Sequence, residues 1–343
     1  MNNNYTSEIN KQFDGKVIII TGSTQGSGAE TAKLFAARGA KAITICGRQE
    51  NKGLQIKKEI EELGAKCLYI KADLSKVEDC KKIVALTAFD YSFSRLIDTT
   101  DIDIILVGDS LAMVALGHST TLPVTIEEMI MHTCAVSRGC HNALLVADMP
   151  FMSYQVSNEQ AITNAGRFIQ EAGAQAVKLE GGTSMAKRVK ALTDVDIPVM
   201  GHIGITPQSI NRLGKYQVQG KTFMDARKIK QDALSLQDAG VFSIVLEGIY
   251  DDLAAEITQD LKVPTIGIGA GVKCDGQILV LHDLLGLGMD PSPKFVKKYT
   301  NLANETKKAV NNYIQEVRNE TFPDADHSYN FKIKKLMSNT KDA

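Results

Sequence analysis

The sequence predicts an α/β fold, a (β/α)8 TIM barrel preceded by a partial Rossmann-like βαβαβ segment. From Ile83 onward, short apolar runs alternate with helical patterns through eight repeats over about 240 residues, the size and rhythm of a closed parallel barrel. Before them, an apolar run ends in a glycine-rich turn that opens a helix, as in one half of a doubly wound sheet.

The first segment reads in order. Lys16 to Ile20 is a β-branched strand, Thr21-Gly22-Ser23-Thr24-Gln25-Gly26-Ser27-Gly28 the turn, and Ala32, Leu34, Phe35 and Ala36 mark the helix after it. A second strand spans Ala42 to Cys46, an amphipathic helix Lys52 to Leu63, and a third strand Cys67 to Ile70. Glycines in such a turn let the backbone approach a pyrophosphate, whose charge the free N–H groups at the helix start favour. The strand order expected is 3-2-1, which leaves the first strand at an open edge and exposed to aggregation.

For the barrel, strands are expected near Ile83 to Thr87, Ile104 to Val107, Ala143 to Ala147, Ala176 to Leu179, Pro198 to His202, Ser243 to Leu246, Pro264 to Ile268 and Leu284 to Leu287. Helices fall over Ile126 to Arg138, Ser157 to Ala172, Phe223 to Ala239 and Asp251 to Leu261, and a last one over Lys297 to Glu320. The expected division is residues 1–80, 81–331 and a short tail, 332–343.

Composition narrows the function. The chain has 343 residues, 44% hydrophobic and 23% charged, enough to bury a large core. Lys and Arg total 39 against 40 Asp and Glu, a formal net charge of −1, so there is no basic footprint for nucleic acid or an anionic membrane. The six cysteines are scattered without a C-x-x-C pair and read as reduced thiols. The polar opening MNNNYTSEINKQFDGK has no apolar signal core, and no apolar run approaches the roughly 20 residues that span a bilayer. A cytoplasmic enzyme acting on small molecules is expected.

A barrel of this kind carries its active site at the C-terminal ends of its strands. There the sequence places Asp109-Ser110, Asp148, Lys178 with Glu180, His202 and Glu247, each after an apolar run. Asp109, Asp148 and Glu180 are hard oxygen ligands suited to Mg2+. Lys178 and Glu180 lie two apart on one strand and share a face. The lysine is placed to bind a substrate carboxylate; a Schiff base would need a lowered pKa, which neighbouring carboxylates oppose. His202 fits a wall hydrogen bond as well as a substrate contact, Phe89 and Tyr91 fit packing better than ring stacking, and the other histidines show no ligand spacing.

Two family resemblances rest on these residues. From Gly15 to about Val84 the chain resembles the short-chain dehydrogenase/reductase family, through Thr21, Gly22, Gly26 and Gly28, Gly47-Arg48 after the second strand and Ala72-Asp73-Leu74 after the third. The resemblance implies a dinucleotide site at Gly22, Gly26, Gly28, Arg48 and Asp73, and Arg48, where an NAD-binding member has an acidic residue, leans it toward NADP. Ser27 departs from the family's aliphatic residue, and none of the nine tyrosines has a lysine four residues on, so the family's catalytic Tyr-x-x-x-Lys is missing and reductase chemistry is not expected.

From about Lys81 to Phe331 the chain resembles the ketopantoate hydroxymethyltransferase family. The motifs run in order: Val107-Gly108-Asp109-Ser110-Leu111, Thr121-Leu122-Pro123-Val124-Thr125, Ala147-Asp148-Met149-Pro150-Phe151, Lys178-Leu179-Glu180-Gly181-Gly182, Gly201-His202-Ile203-Gly204-Ile205-Thr206-Pro207-Gln208, Tyr216-Gln217-Val218-Gln219-Gly220 and Gly267-Ile268-Gly269-Ala270-Gly271. The resemblance implies transfer of a one-carbon unit from 5,10-methylenetetrahydrofolate to 3-methyl-2-oxobutanoate in pantothenate and coenzyme A biosynthesis. It implies Mg2+ on Asp109 and Asp148 with Glu180 completing the site, substrate contacts from Asp109, Ser110, Asp148 and Lys178, Glu247 as proton acceptor with a raised pKa, and a homo-oligomer. A Mg2+-dependent carbon–carbon lyase of the phosphoenolpyruvate-type barrels is the alternative enzyme, and a bifunctional or NADP-sensing fusion the alternative for the whole chain. The first segment is either a real fusion or a product of misjoined reading frames.

Overall fold

A computed structural model describes residues 12–72, 81–288 and 293–329, and the chain divides into two compact units, Met1–Lys82 and Ile83–Ala343. The first contains three parallel strands, β1 (Val17–Ile20), β2 (Ala42–Gly47) and β3 (Lys66–Lys71), in the order β1-β2-β3, with helices over Gly26–Ala37 and Glu50–Glu62. β1 is an edge, as expected. Ile43, Ile45 and Cys67 on one face of the sheet share a core with Ala29, Ala32, Ala36, Ile56 and Ile60 of the two helices. The alternate residues of β1 have no such cover: Val17 and Ile19 are 68% and 74% exposed.

The turn after β1 keeps its glycine geometry. Gly22 and Gly26 have φ of +61° and +59°, and a Cβ on Gly28 would lie 2.5 Å from the Gly22 carbonyl oxygen. The Ser23 hydroxyl donates to the Ile20 carbonyl and accepts the Cys46 N–H, pinning the turn to β2. Arg48 follows β2 and is exposed. Asp73 lies outside the described residues, as do Val77 to Cys80 at the junction and the tail from 332.

The second unit is a closed barrel of eight parallel strands: β4 (Ile83–Thr87), β5 (Ile104–Val107), β6 (Leu144–Asp148), β7 (Ala176–Glu180), β8 (Val199–Gly204), β9 (Ser243–Glu247), β10 (Thr265–Ile268) and β11 (Gly276–Leu279), with β11 pairing back onto β4. Seven strands stand where the sequence put them. The eighth does not: β11 precedes the expected Leu284 to Leu287, and Leu281–Leu285 is a short helix capped by Gly286 in the left-handed conformation, φ +63°. Closure selects the earlier segment because Gly276 lets the backbone approach β4, where a Cβ would lie 2.6 Å from the Ile83 carbonyl oxygen. The leucine-rich run behind it forms the short helix instead, and its Leu281 and Leu285 pack into the core shared with the surrounding helices.

Alternation along the strands divides the core. Ala85, Ile104, Leu106, Val146, Ala176, Met200, Val245, Ile266 and Ile278 form one cluster inside the barrel. The intervening residues, among them Ile105, Val107, Leu145, Val177, Leu179, Ile244 and Leu246, pack with the surrounding helices. Full burial of each such side chain stabilises by about 1.5–3 kcal/mol, so the register of every strand is strongly held, and with it the direction of the polar residue at each strand end. Helix starts are set by side chains: Thr125 and Glu128 form a reciprocal capping box before Ile126–Ser137, while Ser157 and Thr222 cap Asn158–Gln170 and Phe223–Asp238. The last helix, Leu302–Arg318, starts and ends inside the expected span and buries none of its residues. Among the described residues no helix is long and apolar enough to cross a membrane.

Candidate active site

Asp148, Lys178, Glu180, His202 and Glu247 continue the inward-facing series of β6 to β9, one or two steps beyond Val146, Ala176, Met200 and Val245. The register sets Asp148 opposite Lys178 on the neighbouring strand and Glu180 opposite His202. The polar groups therefore lie within the last three residues of their strands, held by sheet pairing rather than by loops. Asp109, just beyond β5, joins them through its backbone N–H, which donates to Asp148 Oδ2 at 3.1 Å.

Charge in this cluster is unbalanced. Lys178 Nζ lies 2.6 Å from Asp148 Oδ1 and 3.4 Å from His202 Nδ1. His202 Nδ1 is 3.7 Å from Glu180 Oε1, and its Nε2 approaches Glu247 Oε2 to 3.1 Å without reaching hydrogen-bond geometry. Four carboxylates thus surround one ammonium and one imidazole. The Glu247 side chain is 19% exposed where those of Glu180 and Asp148 are 3%, so Glu247 faces the opening of the barrel. Burial and the charge of Asp148 push Asp109 up to about 7, and burial with Asp109 holds Glu180 well above the usual carboxylate range. Burial pulls Lys178 down, but Asp148, Asp109 and Glu180 outweigh it and leave its pKa raised. A protonated lysine cannot act as a Schiff-base amine.

A divalent cation fits this donor set. Asp148 Oδ1 is buried with the Lys178 ammonium 2.6 Å away and has no other protein partner, which leaves a second lone pair for coordination. The remaining donors are oxygens, and the excess negative charge is what a cation would offset. Among the described residues no three His, Cys, Asp or Glu side chains converge as they stand into a metal cage.

Ser110 sits half-buried next to Asp109 at the start of the short helix Leu111–Val114. Phe89 is buried, and Tyr91 is exposed at the start of the helix Tyr91–Ile97, consistent with packing and surface roles. Gly22, Gly26, Gly28 and Arg48 belong to the first unit and are not members of this cluster.

Sequence reasoning gave no role to three residues that the fold brings here. Gln208, in the turn Pro207–Ser209 after β8, donates from Nε2 to Asp109 Oδ2 at 2.9 Å and to the Met149 carbonyl at 3.0 Å, and its backbone N–H donates to Glu180 Oε2 at 3.0 Å. Tyr154, fully buried, donates to Gln208 Oε1 at 2.7 Å. Burial raises the Tyr216 phenol, and the charges of Glu180, Glu247 and Asp109 add to the shift. The signal for Gln208 and Tyr216 was their place in collinear motifs; Tyr154 gave none.

Residues 70–325 match the model of the ketopantoate hydroxymethyltransferase family, and residues 16–98 match that of the short chain dehydrogenases. A 3-methyl-2-oxobutanoate hydroxymethyltransferase of Pelobacter propionicus is 58% identical over 257 residues, 75% of this chain and 95% of its own. One from Syntrophus aciditrophicus is 56% identical over 249 residues, 73% of this chain and 92% of its own. Among solved structures, a 2,3-dimethylmalate lyase aligns over 75% of this chain and 88% of its own, with a TM-score of 0.47 and 13% identity.

Proposed function

Because the chain belongs to the ketopantoate hydroxymethyltransferase family, we propose that its barrel transfers a hydroxymethyl group from 5,10-methylenetetrahydrofolate to 3-methyl-2-oxobutanoate, giving 2-dehydropantoate. The observation that carries the site assignment is the convergence of Asp109, Asp148, Lys178, Glu180, His202 and Glu247 from five neighbouring strand ends. In this reading Asp109 and Asp148 would hold Mg2+, with Glu180 completing the site. Bound there, the ion supplies Lewis-acid polarisation of the substrate ketone.

The chain's own groups do the rest. Lys178, kept protonated by its carboxylate neighbours, presents a fixed positive charge to the substrate carboxylate, and Ser110 is a further substrate contact in this reading. Glu247, the most open of the strand-end carboxylates, removes the proton from the carbon next to the ketone. The resulting enolate forms a carbon–carbon bond to the folate-borne methylene group. The methylene carbon gives up its bonds to both folate nitrogens, water supplies the hydroxyl oxygen and the protons those nitrogens take, the proton held by Glu247 goes to the new hydroxyl, and tetrahydrofolate leaves. His202 Nδ1, 3.4 Å from Lys178 Nζ, helps to orient the ammonium. A homo-oligomer is part of the same reading.

Two measurements test it. Product formation should need both the folate and a divalent ion, whereas a lyase would cleave an oxo acid without folate. Glu247→Gln should abolish exchange of the substrate C–H with solvent deuterium while substrate still binds; unchanged exchange would remove Glu247 from its role. For the first unit the reading is narrower: its glycine turn keeps a dinucleotide-compatible shape, but no NADPH oxidation is expected without the Tyr-x-x-x-Lys pair. Titration of the full chain with NADP reads binding separately from catalysis.

A further inference from the structure

Gln208 reaches two of the three carboxylates assigned to the cation, through different atoms. Its side-chain Nε2 donates to Asp109 Oδ2, and its backbone N–H donates to Glu180 Oε2. The amide can point only one way. Nε2 faces two acceptors, Asp109 Oδ2 and the Met149 carbonyl, while Oε1 faces two donors, the Tyr154 hydroxyl at 2.7 Å and Gln155 Nε2 at 3.2 Å. A flipped amide would set an oxygen against a carboxylate and a carbonyl in a buried site, replacing two hydrogen bonds by repulsions. Tyr154 fixes this orientation from below, because its hydroxyl also accepts the Glu180 backbone N–H at 3.1 Å. The loop carrying Tyr154 is itself held by the Arg188 guanidinium, which donates to the Tyr154, Gln155 and Val156 carbonyls.

We propose that Gln208, braced by Tyr154, is a positioning residue that holds Asp109 and Glu180 in the orientations that bind the cation. This rests on the reading of the barrel mouth as a metal site. Neither residue is assigned to the ion itself; they set the direction and basicity of the groups that would hold it, a role whose loss typically costs about 10- to 100-fold in metal affinity.

The test is Mn2+ binding to the full chain, read by loss of the free-ion electron paramagnetic resonance signal. Gln208→Met keeps the volume and the backbone N–H to Glu180 but removes both side-chain donors, so its affinity for Mn2+ should fall about 10- to 100-fold while far-ultraviolet circular dichroism is unchanged. Tyr154→Phe should weaken binding by a smaller factor, about three- to tenfold, and should add nothing in the Gln208→Met background. Gln208→Met within twofold of the parent overturns the proposal, and so do additive losses in the double variant. If Gln208→Met does not fold, Tyr154→Phe decides alone, and unchanged affinity there overturns it. Asp148→Asn serves as the control: Mn2+ binding that is lost in this variant but intact in Gln208→Met refutes the role of Gln208 alone, whereas no binding by the parent refutes the metal site itself.

Discussion

Asp109→Asn separates a charge held ready for a cation from an ordinary structural aspartate. Asp109 is 4% exposed, and its carboxyl is raised from 3.8 to about 7 by burial and by Asp148. At about 1.36 kcal/mol for each tenfold change in acidity, that rise is a destabilisation of about 4 kcal/mol for the ionised form in the folded, metal-free protein. The sign follows from proton binding. Between about pH 4 and 7 the folded state holds a proton that the unfolded state has released, so stability falls as pH rises through that window and stays low above it. Asp109→Asn removes the charge but keeps an acceptor for Gln208. The barrel transition of the metal-free variant should therefore lie about 5–10 °C above the parent at pH 8 and close to it at pH 4. Mg2+ should raise the parent's melting temperature at pH 8 and leave the variant's unchanged, and transfer activity should vanish in the variant. Scanning calorimetry with and without Mg2+ reads the transitions, and a hydroxymethyl-transfer assay reads the activity. A variant less stable than its parent by the same amount at both pH values would refute the argument, because Asp109 would then be fully satisfied by its protein neighbours.

Three further outcomes follow from the same geometry. Lys178→Met leaves Asp148, Asp109 and Glu180 without their ammonium and should destabilise the barrel by about 3–5 kcal/mol, measured by urea unfolding at pH 8, with loss of activity. Asp98 accepts hydrogen bonds from the backbone N–H groups of His141, Asn142 and Ala143 at 3.0–3.2 Å; burial opposes ionisation there, but these donors outweigh it and hold the carboxyl below its usual range. Asp98→Ala should cost about 2–4 kcal/mol at pH 7, and the parent should lose this stabilisation only as pH falls below about 4 toward the depressed folded value, visible as a shrinking difference between the two proteins in acid. Deletion of residues 1–75 should leave hydroxymethyl transfer intact and reduce aggregation, since it removes the exposed strand residues Val17 and Ile19; loss of the folded barrel in light scattering and circular dichroism would show that the first unit is integral to it.

The sequence by itself determined the two-part organisation, the barrel class and the identity of the polar residues at five strand ends. It could do so because strand alternation has a period of two, so a polar residue that continues an inward-facing apolar series must enter the barrel mouth. Lys178 and Glu180 were legible as one-faced for that reason, before any contact was known. The sequence misplaced β11, because the leucine-rich run from Leu279 to Leu287 is as apolar as a strand and nothing local distinguishes the two. Only barrel closure, which needs the bare backbone of Gly276 against Ile83, makes the choice. The tertiary structure also decided everything that depends on proximity between distant segments. Gln208 lies 99 residues from Asp109, and Tyr154 lies 54 from Gln208. Amide orientation, charge balance and the rise in the Asp109 pKa exist only when these groups share one buried volume, since Coulombic and desolvation effects depend on distance in space and on the exclusion of water, which no local pattern in a sequence records.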